Sequence, residues 1–229
     1  NNSENVFNLI KGDIPIIKLL KNTEFLNNLK ESQLLYKNGQ AFQAIGHARL
    51  VTNGSQLKEE NNQPVVKDGI VGIHNGIIVN ADQLWQENAE LKREYEIDTE
   101  ILLSLIRKEL STRNLPLAIS NTLNKIEGTV SSALLFDDRN ELALFTNNGS
   151  LYYVLEDDFL LFASEEYFLK QVLKKLLLNL QIVQVKAFEG FVLNIDSFET
   201  TAFKQKDSFV GNYDPQRHNK HVFKSINLK

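Results

Sequence analysis

Three short strings in this sequence combine the residue types that a small-molecule site needs. They are GHARLVTNG at residues 46–54, HNGII at residues 74–78 and DTE at residues 98–100. A guanidinium fork suits a carboxylate, a carboxylate suits a cation, and an amide beside a glycine suits an oxygen that becomes negative during a reaction. Taken singly, the strings predict only two turns and the acidic start of a helix.

The first half of the chain is predicted to place these strings at strand ends and at a helix start. Residues 1–40 favour short helices or loops, and the mostly apolar run 41–51 favours a buried strand that ends in a turn. A second strand is predicted over 70–79, after a short strand and a turn. Asn80 is predicted to cap a helix through residue 91, and Asp98 a helix through residue 110.

The second half is predicted to be rich in strands. A third helix covers 116–127 with Gly128 just past its end, and a fourth starts after Ser164 and runs to residue 178. The Asn148-Gly149 pair favours a tight hairpin, because a primed turn needs positive φ. The predicted strands are 129–136, 141–146, 151–155, 159–163, 182–188, 191–195 and, as an edge strand, 200–203.

This order of elements favours segregated α+β layers over alternating βαβ units. Strands come first, followed by helices, a strand meander, one helix and further strands. One domain is predicted over residues 1–203. The polar residues 204–229 are predicted to form a tail or a linker.

Composition narrows the classes of partner. Lys and Arg number 25 and Asp and Glu number 29, for a net charge of −4, and the basic residues are scattered, which argues against nucleic acid. No apolar run reaches the length of about 18 residues that spans a bilayer, and the start carries no signal-peptide pattern. We therefore expect a cytoplasmic protein without a membrane partner.

The sequence contains 0 Cys, which excludes a disulfide, a thiolate metal site and a cysteine nucleophile within these residues.

Taken together and in this order, the three strings resemble class II glutamine amidotransferases, which are N-terminal nucleophile hydrolases. That family carries a His-x-Arg-x-x-Thr string, a His-Asn-Gly-Ile-Ile turn and an Asp-Thr-Glu at a helix start. The likeness covers about 45–195 and is nearest to the glutaminase domain of glucosamine-6-phosphate synthase, with amidophosphoribosyltransferase and asparagine synthetase more distant. The resemblance implies an α+β fold, a four-layer αββα sandwich of two mainly antiparallel sheets between helix layers.

The resemblance also implies a site for free glutamine. Arg49 would grip the α-carboxylate, Thr52 would add a hydroxyl near that end, and Asp98 would receive the α-ammonium group. The side chain of Asn75 and the backbone N–H of Gly76 would form the oxyanion hole. The alternatives are a surface ion pair for Arg49, a helix N-cap for Asp98 and a simple turn for Asn75 and Gly76.

The histidines are not needed as bases in this family. The base is the α-amino group of the nucleophilic residue itself, whose ordinary pKa of about 7.7 to 8.0 lies near the operating pH. His47 and His74 are therefore predicted to be structural. The resemblance implies no cofactor and no metal.

The family's nucleophile has no counterpart among these residues. An N-terminal Cys attacks the glutamine amide in the family, whereas this chain starts at Asn1 and has 0 Cys. The family's Arg-Gly-x-Asp-Ser-x-Gly string is also missing, and Asn53 stands where the glucosamine-6-phosphate synthase branch has His. We therefore expect the Cys and the first strand to lie outside these residues.

The predicted function is the glutaminase half of a glutamine amidotransferase. Glutamate and ammonia would form, and a synthetase domain or subunit would pass the ammonia to an acceptor, with a sugar as the expected one. Two alternatives stay open: a catalytically inactive module that binds glutamine or regulates a partner, and an enzyme for another amide. Arg49 with Asp98 favours glutamine, because the two match both charged ends of an amino acid. Homo-oligomerisation is left open.

Overall fold

The computed structural model describes residues 7–12, 15–37, 41–48 and 61–205. Of the short helices or loops predicted for residues 1–40, the structure shows two helices, α1 (Ile16–Leu19) and α2 (Thr23–Lys37). Residues 41–48 are irregular and mostly exposed, so the predicted buried strand is wrong there. None of the described strands pairs with them, and a strand needs a neighbour for its backbone N–H and C=O groups.

The layered body follows from residue 65 onward. Its helices are α3 (Ala81–Glu87), α4 (Thr99–Leu110), α5 (Leu115–Leu123) and α6 (Glu166–Leu176). Its strands are β1 (Val65–Lys67), β2 (Ile70–Ile78), β3 (Gly128–Phe136), β4 (Glu141–Thr146), β5 (Tyr152–Leu155), β6 (Leu160–Ala163), β7 (Val183–Gln184), β8 (Glu189–Asn194) and β9 (Thr200–Lys204). Among the described helices, none is both long and apolar enough to cross a bilayer.

The described strands form two sheets. One has six strands in the order β1-β2-β3-β4-β8-β9, and the other has three in the order β6-β5-β7. Every pairing in both sheets is antiparallel. The central strands β3 and β4 are buried along most of their length, because the six-stranded sheet is covered on both faces.

Three apolar clusters show how the layers stack. The first lies between α3–α5 and the six-stranded sheet and contains Ile101 and Phe136. The second lies between the two sheets and contains Leu144. The third joins the three-stranded sheet to α6 through Val154 and Leu169. Helices, sheet, sheet and helix therefore follow one another, which confirms the predicted αββα sandwich.

Helix α4 shows how the sequence pattern builds the first cluster. Ile101, Leu102, Leu105 and Ile106 share one face of the helix, and all four are fully buried. Each such side chain contributes about 1.5–3 kcal/mol when it is removed from water. The predicted span of α4 is confirmed at both ends.

Two other helices differ from their predicted bounds. Helix α3 ends at Glu87 rather than at residue 91, because the side chain of Asn88 donates to the Leu84 carbonyl at 2.8 Å. The backbone N–H of Asn88 would use that carbonyl if the helix continued. Helix α5 ends at Leu123, and Gly128 opens β3 with φ 122° instead of closing a helix.

The Asn148-Gly149 hairpin prediction is wrong. Strand β4 belongs to the six-stranded sheet and β5 to the three-stranded sheet, so the turn carries the chain from one sheet to the other. The Thr146 hydroxyl accepts the Gly149 N–H at 3.0 Å, and this bond closes the turn without a strand partner.

The last elements are shorter than the sequence predicts. Strand β7 has 2 residues instead of the run 182–188. Phe188, with φ 64°, lies where the chain turns into β8. Helix α6 starts at Glu166 with Glu165 in the N-cap position, not Ser164. The edge strand β9 is confirmed and runs to Lys204.

Candidate functional site

Strand β2 carries the HNGII string and has two different faces. Successive side chains of a strand point to opposite faces. Ile78 belongs to the cluster that contacts the helices, and Ile73 belongs to the cluster between the sheets. By this alternation His74 points toward the helices and Asn75 toward the three-stranded sheet. His74 is 2% exposed, whereas Asn75 is exposed and makes no side-chain hydrogen bond within the described part of the chain.

Gly76 holds a backbone conformation that only glycine adopts readily. Its φ is 148°, and a Cβ atom there would lie 1.9 Å from the Thr129 carbonyl oxygen. The neighbouring ladder is also irregular, since the Ile77 N–H points to the Thr129 hydroxyl at 3.4 Å. The requirement for glycine at this position is therefore steric as well as conformational.

His74 ties the HNGII string to two other elements. Its Nε2 lies 3.1 Å from the Thr129 carbonyl oxygen and its Nδ1 lies 3.2 Å from the Thr99 hydroxyl. A carbonyl oxygen only accepts, so Nε2 carries the proton and Nδ1 accepts from Thr99. Burial lowers the pKa of His74, and the nearby charge of Asp98 opposes that shift only in part. The imidazole is therefore neutral, and its predicted structural role fits these contacts.

Gln63 fixes the backbone at the same point. Its side-chain amide donates to the His74 carbonyl at 2.7 Å and accepts the His74 N–H at 2.6 Å. These two bonds replace the contacts that a neighbouring strand would make. The backbone that leads into Asn75 is thus held from both sides.

Asp98 lies at the start of α4, beside the end of β2. Its Oδ2 accepts the Ile78 N–H at 2.7 Å. It occupies the N-cap position of α4, but its side chain makes no cap hydrogen bond to the helix. The carboxylate is half-buried and lies two residues along β2 from Gly76, a distance of about 7 Å at the rise of a strand. The structure therefore brings Asn75, Gly76 and Asp98 to one end of β2.

The other two predicted site residues are not among the described residues. Arg49 and Thr52 both fall in the gap between residues 48 and 61. Their roles therefore stay predictions. In the described ranges no group of three or more His, Cys, Asp or Glu side chains is placed to hold a metal ion.

Sequence reasoning missed the role of Glu100, which it treated only as an acid at a helix start. Glu100 is fully buried and lies 3.1 Å from the ammonium group of Lys67 in β1. Its two oxygens also accept the N–H groups of Glu94 and Tyr95 at 2.7 and 2.8 Å. The carboxylate thus binds β1 and the loop before α4 to the helix that carries Asp98.

Lys67 is the cation at the centre of this network. It is 5% exposed and also contacts Glu94 at 2.7 Å. Burial lowers the pKa of Lys67, but the carboxylates of Glu94 and Glu100 outweigh that effect and raise it overall. The hydrogen bond from Lys67 is the main cause that lowers the pKa of Glu94 to about 2. A lysine at the end of the short strand β1, VVK, was the only signal in the sequence.

Comparison with known proteins shows which family the chain belongs to. Residues 47–171, more than half of the 229 residues, match the family described as the glutamine amidotransferase domain. The isomerizing glutamine–fructose-6-phosphate aminotransferase of Mesorhizobium japonicum is 32% identical over 108 residues, which are 46% of this chain and 18% of that protein. The amidophosphoribosyltransferase of Methanocaldococcus jannaschii is 32% identical over 130 residues, which are 52% of this chain and 27% of that protein. The chain thus spans less than a third of the length of these two relatives.

Solved structures support the fold. The glutamine phosphoribosylpyrophosphate amidotransferase from B. subtilis, complexed with ADP and GMP, matches with a TM-score of 0.56 at 24% identity, over 71% of this chain and 35% of that one. An allosteric regulatory enzyme of purine biosynthesis matches with a TM-score of 0.53 at 23% identity, over 66% of this chain and 33% of that one. The chain therefore belongs to the glutamine amidotransferase family, as a class II member with the N-terminal nucleophile hydrolase fold.

Proposed function

We propose that this chain is the glutaminase half of a glutamine amidotransferase and binds free L-glutamine at the end of β2. The observation that carries the proposal is the 2.7 Å hydrogen bond from the Ile78 N–H to Asp98. It holds an anion beside Asn75 and Gly76, so a group that binds an ammonium lies close to groups that can stabilise an oxyanion.

Each charged end of glutamine has a proposed partner. Asp98 uses Oδ2 for the Ile78 N–H and offers Oδ1 to the α-ammonium group. Arg49 takes the α-carboxylate through its guanidinium fork, and Thr52 adds a hydroxyl at that end. Support for the pairing comes from the family membership and from the order of these residues in the matched segment 47–171.

The proposed reaction is attack of a thiolate on the side-chain amide of glutamine. A carbon–sulfur bond forms and the carbonyl electrons move to oxygen, where the Gly76 N–H and the Asn75 amide stabilise the negative charge. Loss of one such donor typically costs about 2.7–4 kcal/mol. The carbon–nitrogen bond then breaks, ammonia leaves with a proton from the α-amino group of the nucleophile, and water hydrolyses the thioester to glutamate. With 0 Cys in this chain, the thiol has to come from outside these 229 residues.

The ammonia acceptor is proposed to be a sugar, bound by a synthetase domain or subunit. Support comes from the Mesorhizobium japonicum relative, whose name is that of a fructose-6-phosphate aminotransferase. We place the glutaminase domain at residues 1–203 and the connection toward the synthetase part at residues 204–229.

Ammonia release tests the proposal. The 229-residue chain should bind L-glutamine in a calorimetric titration and release no ammonia above background. The full-length gene product, if it begins with Cys after Met removal, should release ammonia until a glutamine-like alkylating agent blocks the thiol. Robust ammonia release by the Cys-free chain would contradict the mechanism.

A second candidate function is a catalytically inactive module that binds glutamine or regulates a partner. The absence of Cys from the chain is the observation that favours it. Glutamine binding by the full-length gene product without ammonia release would select this function. Absence of glutamine binding in both forms would overturn the glutaminase and the glutamine-binding module alike.

A further inference from the structure

Strand β2 has a long neighbour on one side and a short one on the other. Strand β3 pairs with the whole of β2, whereas β1 pairs only with residues 70–72. Among the described strands, none continues β1 alongside residues 73–78. We call the side of residues 73–78 that points away from β3 the unpaired edge. It runs past both residues of the proposed oxyanion hole.

Hydrogen bonds at both ends of this segment show which backbone groups face the unpaired edge. The His74 N–H donates to the side chain of Gln63 at 2.6 Å, and the Ile78 N–H donates to Asp98 at 2.7 Å. Backbone groups of alternate residues in an antiparallel strand point to the same side. The N–H of Gly76, midway between these two residues, therefore points to the unpaired edge as well.

The contacts of β3 support this direction. The Ile77 N–H points to the Thr129 hydroxyl at 3.4 Å, so the residue after Gly76 faces β3. Val130 lies directly opposite Gly76, but both of its backbone groups bond to Asn147, the N–H at 2.8 Å and the carbonyl at 2.9 Å. Val130 therefore faces away from β2 and does not accept the Gly76 N–H.

Gln63 takes the place of a strand partner at the unpaired edge. Extending the register of β1 two residues beyond Val65 puts Gln63 opposite His74. Pro64 has no N–H with which to extend the ladder. The side-chain amide of Gln63 supplies one donor and one acceptor instead, and it bonds to both backbone groups of His74. One side chain thus fixes the backbone two residues before Gly76.

Asn61 links the segment that carries Gln63 to the loop before α4. Asn61 is 0% exposed. Its amide donates to the Glu96 carboxylate at 3.0 Å and accepts the Glu96 N–H at 3.1 Å. Glu96 lies two residues before Asp98. The two groups that flank the Gly76 N–H, Gln63 and Asp98, are therefore connected to each other as well as to β2.

We propose that Gln63 is a positioning residue that aims the Gly76 N–H at the oxyanion. It acts through the backbone of His74 and does not touch the reacting atoms. Without its amide the peptide planes between His74 and Gly76 can rotate, and a hydrogen bond weakens steeply when the donor turns away from the acceptor. The role in catalysis rests on the proposed glutaminase function, whereas the direction of the Gly76 N–H is a property of this chain alone.

NMR of the ¹⁵N-labelled 229-residue chain tests this direction without any ligand. Residual dipolar couplings in a dilute aligned medium report the orientation of each backbone N–H bond. Gln63→Met keeps the length of the side chain but loses both hydrogen bonds, and it should change the couplings of His74 and Gly76. Gln184→Met is the matched control, because it removes a bond of the same kind, to the Gly149 carbonyl at 2.8 Å, and should leave the Gly76 coupling unchanged.

An unchanged Gly76 coupling in folded Gln63→Met would overturn the proposal. If that variant does not fold, Gln63→Glu is measured in its place at neutral pH. Its carboxylate still accepts the His74 N–H but has no proton to donate to the His74 carbonyl. The Gly76 coupling should change in that variant too, and a constant value would have the same meaning.

Kinetics of the full-length gene product test the consequence. Gln63→Met should lower kcat by about 10-fold, less than the roughly 100-fold or greater loss caused by removal of one oxyanion donor, while KM changes less than about twofold. Gln184→Met should change neither. A change confined to KM would contradict a role at the oxyanion.

Glutamine binding separates failure of this role from failure of the proposed function. Asp98→Asn should weaken glutamine binding, and undiminished binding would count against the proposed function. Unchanged kcat in Gln63→Met, with glutamine binding that depends on Asp98, would overturn the Gln63 role alone. If the unsubstituted gene product releases no ammonia, the proposed glutaminase function fails and the NMR couplings decide the role of Gln63 in directing the Gly76 N–H.

Discussion

The two faces of β2 differ in how completely the protein closes them. On the face toward α4, His74 and Ile78 are 2% and 3% exposed, and the histidine bonds to two other elements. On the face toward the three-stranded sheet, Ile73 is 8% exposed but Ile77 is 43% exposed and Asn75 is open. One strand thus combines a fixed face with an open one.

Because of this difference, the backbone beside the candidate site is held rigidly. A group that stabilises a transition state must be held before the substrate arrives, because reorganisation during the reaction costs free energy. The closed face, together with Gln63 and the network around Glu100, holds the backbone of residues 74–78 and the start of α4. The open face leaves Asn75 free to meet a ligand.

The largest effect is expected at Gly76, where the two faces share one backbone. Gly76→Ala puts a Cβ 1.9 Å from the Thr129 carbonyl and forces alanine to φ 148°. We expect the free energy of unfolding to fall by about 4 kcal/mol or more in urea denaturation. Gly46→Ala is the control, since no atom of the described residues lies within 4 Å of the Cβ that alanine would add there. Equal stability of the two variants would contradict the described geometry.

The next effect is expected from the buried network on the closed side. Glu100→Gln leaves the ammonium of Lys67 with one carboxylate fewer at 5% exposure. We expect a loss of about 3 kcal/mol, because a buried charge loses one of its two carboxylate partners and keeps only Glu94. Glu166→Gln breaks an exposed pair with Lys170 on α6 and should cost about 0.5 kcal/mol or less. Similar losses would show that the closed side is no more rigid than the surface.

The pH dependence of stability tests whether His74, on the closed face of β2, is buried in its neutral form. Burial lowers the pKa of His74 below its ordinary value of 6.5, so the unfolded chain binds a proton before the folded chain does. Stability should therefore be full above pH 6.5 and fall as the pH drops below it. His74→Gln should remove this part of the decline. Thermal unfolding of both proteins at pH 7.5 and pH 5 measures it, and parallel declines would contradict a buried neutral imidazole.

The smallest effect is expected on the open face. Ile77→Ala should change stability by less than about 1 kcal/mol, because the side chain is 43% exposed. Ile78→Ala, one residue further on the closed face and 3% exposed, should cost about 2–5 kcal/mol. Urea denaturation of the two variants compares the faces directly. A larger loss of stability in Ile77→Ala than in Ile78→Ala would contradict the distinction between an open and a closed face.

The sequence predicted the elements whose signal is local. The apolar face of α4 and the span of β4 are confirmed, because helical spacing and a continuous apolar run mark a buried helix and a buried strand. The Asn148-Gly149 pair does not form the predicted hairpin, since its φ preference specifies a turn but not which strands the turn joins. That choice depends on packing between sheets, which a two-residue signal does not contain.

Part of the candidate site was also predictable from the sequence. The order of HNGII and DTE identified Asn75, Gly76 and Asp98, which the structure brings to one end of β2. The contacts that hold these site residues in place were not predictable from the sequence in the same way. Lys67 meets Glu100 across 33 positions, and Gln63 meets His74 across 11, so both contacts exist only after the strands have paired.

Calorimetry with two ligands tests the central claim, that Asp98 binds the ammonium end of glutamine, most directly. The second ligand is glutaramate, which is glutamine without its α-ammonium group. Asp98→Asn keeps an oxygen for the Ile78 N–H but loses the charge, and Asp82→Asn, at an exposed carboxylate bonded to Arg93, is the control. We predict that Asp98→Asn weakens glutamine binding by about 10- to 100-fold, as expected for a charge-assisted contact of about 1.5–3 kcal/mol, and leaves glutaramate and the control unchanged. Equal weakening of both ligands, or undiminished glutamine binding, would contradict the account.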